Sequence, residues 1–227
     1  MNGITAMGVF LFSILFGLFF LYRSRKLRAD LLLFLGTTYI FAGLVYLGDT
    51  LDFITILLTG TNMDNSTGII GLINWMWFPG AILSAIYISA ELLFPEKKRH
   101  VVAFYAVLSI IFEIFLFLDP FGSVTYTNPV PAGSDLINDN LVEDSVVFFI
   151  ALIFLLSVLL LLGVGFLIRA IKSSGDIRRN FLFLSIGAFI YTIGGILDGL
   201  LSPGIILIFS RSGMILSAWL FYLGIRP

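Results

Sequence analysis

With 227 residues, 59% hydrophobic and 12% charged side chains, a mean hydropathy of +1.07 and a formal net charge of −1, the chain is too apolar for a soluble domain, which carries about 25% charged residues. The charge balance offers no basic surface for nucleic acid. The absence of cysteine excludes disulfides, thiol catalysis and thiolate metal sites.

Seven apolar runs follow one another, at about 3–22, 31–57, 68–93, 101–118, 146–168, 180–201 and 204–225. Most hold the 18 or more residues that a roughly 30 Å hydrocarbon core requires of a helix. They are continuously apolar over far more than the roughly ten residues of a barrel strand, so the expected fold is all-α, a polytopic bundle of seven transmembrane helices forming a single domain over 1–227. The first run is read as a helix rather than a signal peptide, because no basic residue precedes it and no small-residue cleavage site follows.

The second run carries Tyr46, Asp49 and Asp52; the third opens with Asn74, Trp75, Trp77 and Pro79; the fourth holds Glu113; the sixth and seventh hold Asp198 and Arg211. Between the fourth and fifth lies a long connection, 119–145, with Asp119, Asp135, Asp139, Glu143, Asp144, Pro129 and Pro131. Its acids do not have the convergent spacing of a calcium loop, so it is read as a solvated acidic connection and no metal is expected. The other connection on that side carries Asn65-Ser66-Thr67, a glycosylation acceptor pattern.

Basic residues cluster at Arg23–Arg28, at Lys97, Lys98 and Arg99, at Arg169–Arg179 and at Arg226, leaving Arg211 as the exception among thirteen. These are alternate connections plus the C-terminus. The positive-inside rule therefore predicts an external N-terminus and a cytoplasmic C-terminus.

The phrase Gly80-Ala81-Ile82-Leu83-Ser84-Ala85 returns as Gly213-Met214-Ile215-Leu216-Ser217-Ala218. Both copies fall on runs of the same direction. The preceding runs also match, Arg28 to Asp49 against Arg178 to Asp198, and the first and fifth close on Arg23 and Arg169. The pattern predicts a 3+1+3 parallel repeat, with units at about 1–95 and 146–227 joined by the helix at about 101–118. Gly80/Ser84, Gly213/Ser217 and Gly195/Gly199 are small-xxx-small pairs expected at helix contacts.

An ionisable group at the centre of a bilayer costs at least about 2.5 kcal/mol, which makes each one a candidate site residue. At 1.5 Å per residue, Asp49 and Asp198 lie roughly 27 Å from the cytoplasmic ends of their helices. Arg211 sits about seven residues below the outer start of its helix, in that same outer layer. Asp198 and Arg211 flank the turn 201–204 and are expected to pair. With Trp75 and Asp49 they make the leading candidates for an outward-facing ligand pocket, and Tyr46, Asp52, Asn74, Trp77 and Glu113 are secondary candidates. The tryptophans alone suit an interfacial belt. Arg211, whose planar fork donates two hydrogen bonds at once, is the expected anchor for an anionic or carbonyl group.

No nucleophile and base converge in sequence, and His100 is the sole histidine, so neither enzyme nor metal site is expected. The seventh run contains no lysine, which excludes a retinal cofactor. The external N-terminus, basic turns such as Arg178-Arg179-Asn180-Phe181 and the Asp198 helix before a short outer turn resemble the seven-helix sensor regions of prokaryotic histidine kinases. That resemblance implies a multi-pass receptor of a prokaryotic cell membrane that binds a small ligand. Because the chain ends at Pro227, its output is expected through a separate cytoplasmic signalling partner, and a homo-oligomer is compatible with it. The 3+1+3 plan is also similar to SWEET-type transporters, which implies a small-solute transporter as the alternative.

Overall fold

The computed structural model describes residues 2–200 and 204–225. The chain forms α1 (Asn2–Leu27), α2 (Asp30–Leu44), α3 (Leu47–Thr59), α4 (Ile69–Trp75), α5 (Phe78–Leu93) and α6 (Lys98–Leu118). A short α7 (Pro120–Ser123), strands β1 (Val124–Thr127) and β2 (Asn138–Leu141), then α8 (Val146–Ser157), α9 (Val164–Ile171), α10 (Gly175–Leu200) and α11 (Ile205–Gly224) complete it. By length and composition, six helices among the described residues can cross a membrane, or seven if the bent pair α2–α3 is one span. The chain is a helical, multi-pass membrane protein.

Two of the expected single helices are interrupted. The run read as 31–57 bends by 44° between α2 and α3. No proline causes the bend; the amide of Tyr46 turns back to the Gly43 carbonyl at 3.0 Å, a tighter pairing that ends α2. The run read as 68–93 breaks at Met76 and Trp77, and Pro79 opens the first turn of α5, where its missing amide costs nothing. A π-helical segment, Val158–Gly163, joins α8 to α9. Such a turn frees a carbonyl from the α-ladder, and the Ser185 hydroxyl donates to that of Gly163 at 2.8 Å.

The span containing α4 and α5 is the innermost, with 56% of its apolar window buried against 33% or less in the other single spans. Phe78 of α5, Phe112 of α6 and Phe154 of α8 meet in the core, with ring centroids 5.8–6.3 Å apart. Apolar side chains such as Leu11 and Leu18 of α1 and Phe104 and Ile110 of α6 face outward, as lipid contact requires.

Corresponding contacts recur in the two halves. Gly80 packs on the ring of Phe41 and Gly213 on Ile190, residues that stand eight before Asp49 and Asp198 respectively. Gly17 and Gly36 lie against each other's carbonyls, and in the other half Gly163 meets Ser185. Gly17 and Gly163 each stand six before Arg23 and Arg169; Gly36 and Ser185 each stand thirteen before Asp49 and Asp198. The pair Gly195/Gly199 departs from its expected packing role: a methyl group built on either would meet nothing within 4 Å. Both line a cavity instead.

The segment 119–145 is not a simple solvated connection. Asp119 caps α7 by accepting from the Gly122 amide at 2.9 Å, and β1 pairs antiparallel with β2, Val124 opposite Leu141. This hairpin and the residues before β2 fold over the ends of α3, α4 and α10. The cause is a set of buried partners. Asp52, fully enclosed, accepts from the Ile137 amide at 2.9 Å, the Met63 amide at 2.7 Å and the Asn62 side chain at 2.9 Å. Asn62 in turn donates to the Asp135 carbonyl and accepts from the Gly133 amide. Asn2 donates to the Asp135 carboxylate at 2.8 Å, tying this cover to the first turn of α1.

Candidate functional site

Beneath the cover lies a cavity of about 160 Å³. It is lined by apolar side chains, among them Phe78, Ile82, Leu155 and Val158, and by a polar wall of Asp49, Asn74, Asp139, Asp198 and Arg211. The break between α2 and α3 shapes the polar wall. It turns Tyr46 toward α10, where its hydroxyl donates to Asp198 Oδ2 at 2.6 Å. One turn on, Asp49 points at α11. Gly48 lets α3 approach α4 closely, since a side chain there would strike the Ile70 carbonyl, and its amide donates to Asn74 Oδ1 at 2.6 Å.

Arg211 is the hub. Its Nε donates to Asp198 Oδ1 at 2.8 Å, its Nη2 faces Asp49 Oδ2 at 3.4 Å, and its Nη1 donates to the Asn2 carbonyl at 3.1 Å. The guanidinium also lies 5.4 Å from the ring centre of Tyr46. All three nitrogens are engaged, so no bidentate fork remains to grip an incoming anion. The expectation that Arg211 anchors an anionic group is corrected on this ground.

Asn74 carries the network onward. Its amide nitrogen donates to Asp49 Oδ1 at 2.9 Å and to Asp139 Oδ2 at 3.2 Å, and Trp75 Nε1 donates to the same Asp139 oxygen at 3.1 Å. Asp139 has no cationic partner among the described residues, and its Oδ1 accepts no hydrogen bond from them. The polar wall thus sets three carboxylates, Asp49, Asp139 and Asp198, against the single charge of Arg211.

The structure brings Asp49, Trp75, Asp198 and Arg211 to one cavity, together with Tyr46 and Asn74. The expected Asp198–Arg211 contact is present, although residues 201–203 of the turn between them lie outside the described residues, as does Arg226. Asp52 is one turn too far along α3 to reach the cavity and holds the cover instead. Trp77 points away and stacks on Phe41 at 6.2 Å, and Glu113 sits on α6 with one carboxylate oxygen buried and unpartnered among the described residues. Sequence reasoning missed Asp139, Asn2 and Tyr191. Asp139 stood among several acids in a polar connection, and nothing in its spacing distinguished it. No protein-family model and no curated protein matches the chain.

Burial, and then the negative charge of Asp49, push the Asp139 carboxyl well above the ordinary aspartate range. The hydrogen bond from Asn74 opposes this only in part. Burial likewise pushes the Tyr126 hydroxyl, which donates to the Gly68 carbonyl beside it, up to about 12. A carboxyl raised on folding binds its proton more tightly in the folded state. Its contribution to stability is complete below the unfolded value and is lost as pH rises through the folded one. Thermal unfolding of the purified chain is therefore expected to show stability falling as pH rises above about 4. The negative charge of Asp198 acts in the same direction as that of Asp49, and the hydrogen bond from Trp75 opposes it. Asp139→Asn should flatten that slope; an unchanged slope would assign it to another group.

Proposed function

We propose that the chain is a receptor-like seven-helix membrane protein that binds a small ligand in this cavity and acts through a separate cytoplasmic partner. In this reading the N-terminus and the 119–145 cover are external and the basic connections are cytoplasmic, in the membrane of a prokaryotic cell. The observation that carries it is the cavity itself. Charged groups at membrane depth persist where they face protein or an aqueous space, and here they line a cavity together with aromatic and aliphatic side chains, the composition of small-molecule sites. The matched contacts of Gly80 and Gly213, and of Gly17 and Gly163, support the 3+1+3 repeat, which would make the cavity the meeting place of its two units.

A second reading, small-solute transport, is favoured by one specific feature. The α2–α3 break, the α4–α5 break and the start of the π-helical segment all adjoin the cavity, and discontinuous helices are how transporters build their central sites.

Two measurements test these readings. Reporters placed within Lys97–Arg99 should read cytoplasmic and those within 119–145 external; a cytoplasmic reading for the latter defeats the orientation. In proteoliposomes offered small organic cations, anions and neutral solutes, a receptor binds without net uptake. Saturable accumulation of any of them would replace the receptor with the transporter.

A further inference from the structure

We propose that the cavity takes a small organic ammonium ion, an amine on an apolar or aromatic body, with Asp139 as its counter-charge. This rests on the pocket reading and names its ligand class.

Four observations converge. The guanidinium of Arg211 is engaged by Asp198, Asp49 and the Asn2 carbonyl, so the one cation among the described cavity residues is not free to hold an anion. Among the described residues that line the cavity, three carboxylates exceed that cation by two formal charges, and Asp139, which has no ion-pair partner among them, keeps Oδ1 open. Among the described residues no set of three metal-ligating side chains converges, so a metal ion does not answer the imbalance. The Tyr191 hydroxyl, in the cavity wall beside Ser13, offers a further polar contact.

The shape fits the same class. A cavity of about 150 Å³ holds a benzene ring, and this one measures about 160 Å³. Its lining is of two kinds: Phe78, Ile82 and Val158 suit a ring or short alkyl body, and the acidic side chains suit a cationic head. Trp75 connects the two, edge-on to Phe78 with centroids 5.6 Å apart while its nitrogen holds Asp139 in place. Its indole face is the kind of surface an ammonium ion favours, a contact that strengthens when water is excluded. An ammonium ion seated against Asp139 would offset part of that imbalance.

The test uses the purified full chain in lipid nanodiscs and three single-ring probes of nearly equal size: benzylamine as the cation, benzyl alcohol as the neutral analogue and benzoate as the anion. Titration calorimetry at neutral pH is expected to show saturable benzylammonium binding at least about tenfold tighter than benzyl alcohol, a difference of about 1.4 kcal/mol, with no binding of benzoate. Asp139→Asn should lower benzylammonium affinity to that of the alcohol. Gly195→Val, at a position where added carbon meets nothing, should fill the space and weaken both probes. Benzoate binding as tightly as the cation would overturn the charge assignment and leave the pocket standing. Equal affinity for cation and alcohol, or an Asp139→Asn variant that binds the cation unchanged, would overturn the role of Asp139. Failure of all three probes would overturn the proposal and the pocket reading together. The probe comparison on the unaltered chain holds whether or not the Asn variant folds.

Discussion

Arg211→Ala is expected to be the most damaging single substitution in the site, costing about 3–5 kcal/mol, the range found when one partner of a buried ion pair is removed. The reason lies in what remains. Asp49 and Asp198 would face each other across the vacated space, Asp49 buried and Asp198 half-buried, and the Asn2 carbonyl would lose its donor. Asp198→Asn should cost less, because Arg211 keeps Asp49 and the Tyr46 hydroxyl keeps an amide oxygen to donate to. Combined, the two changes should cost less than their sum, since both remove one interaction. Unfolding in mixed micelles, followed by tryptophan fluorescence, measures all three. Strict additivity would mean that the 2.8 Å contact contributes nothing. Lysine in place of Arg211 restores the charge but cannot reach three acceptors in three directions, so it should recover only part of the loss.

Asp52→Ala is expected to release the cover at a cost of about 2–5 kcal/mol. It strands the Met63 and Ile137 amides and the Asn62 side chain together, and each buried donor left unpaired costs about 1–3 kcal/mol. The helical spans do not depend on this carboxylate, so the loss should be local. Limited digestion with a non-specific protease should cut the variant within 127–138 far faster than the parent chain, while the helices survive. Equal cleavage rates would show that the cover is held by other contacts. Asp52→Asn, which keeps acceptor capacity on one oxygen, should lie between the two.

The helices were legible because the bilayer imposes a length: runs such as 101–118 and 204–225 announce themselves by continuous apolarity, and the structure places α6 and α11 there. The Arg211–Asp198 contact was legible for a related reason. Two opposite charges at one depth on antiparallel neighbours have few other partners. Asp139 was not legible, because a four-residue strand in a polar connection has no periodicity to read, and its partners Asn74 and Trp75 are 64–65 residues away in sequence. Sequence ranked Asp49 above Asp52 but could not read the separate task of Asp52. Three residues apart on one helix, they share a face, yet one turn of rise sends the first to Arg211 and the second to the cover. The α2–α3 bend escaped notice because a tightened backbone turn at Tyr46, rather than a proline, ends α2.

The π-helical segment Val158–Gly163 carries a mechanical consequence. Its winding stores one residue more than an α-helix of the same rise, a slack link in an otherwise taut rod. Were that link drawn tight, everything beyond it would be screwed by about 100° about the axis relative to α8. Val158, at one end of the link, touches the cavity, and Arg169 rides on α9 past the other. The link thus stands between the cavity and the basic end of the molecule, and the Ser185–Gly163 hydrogen bond is what such a tightening would have to give up.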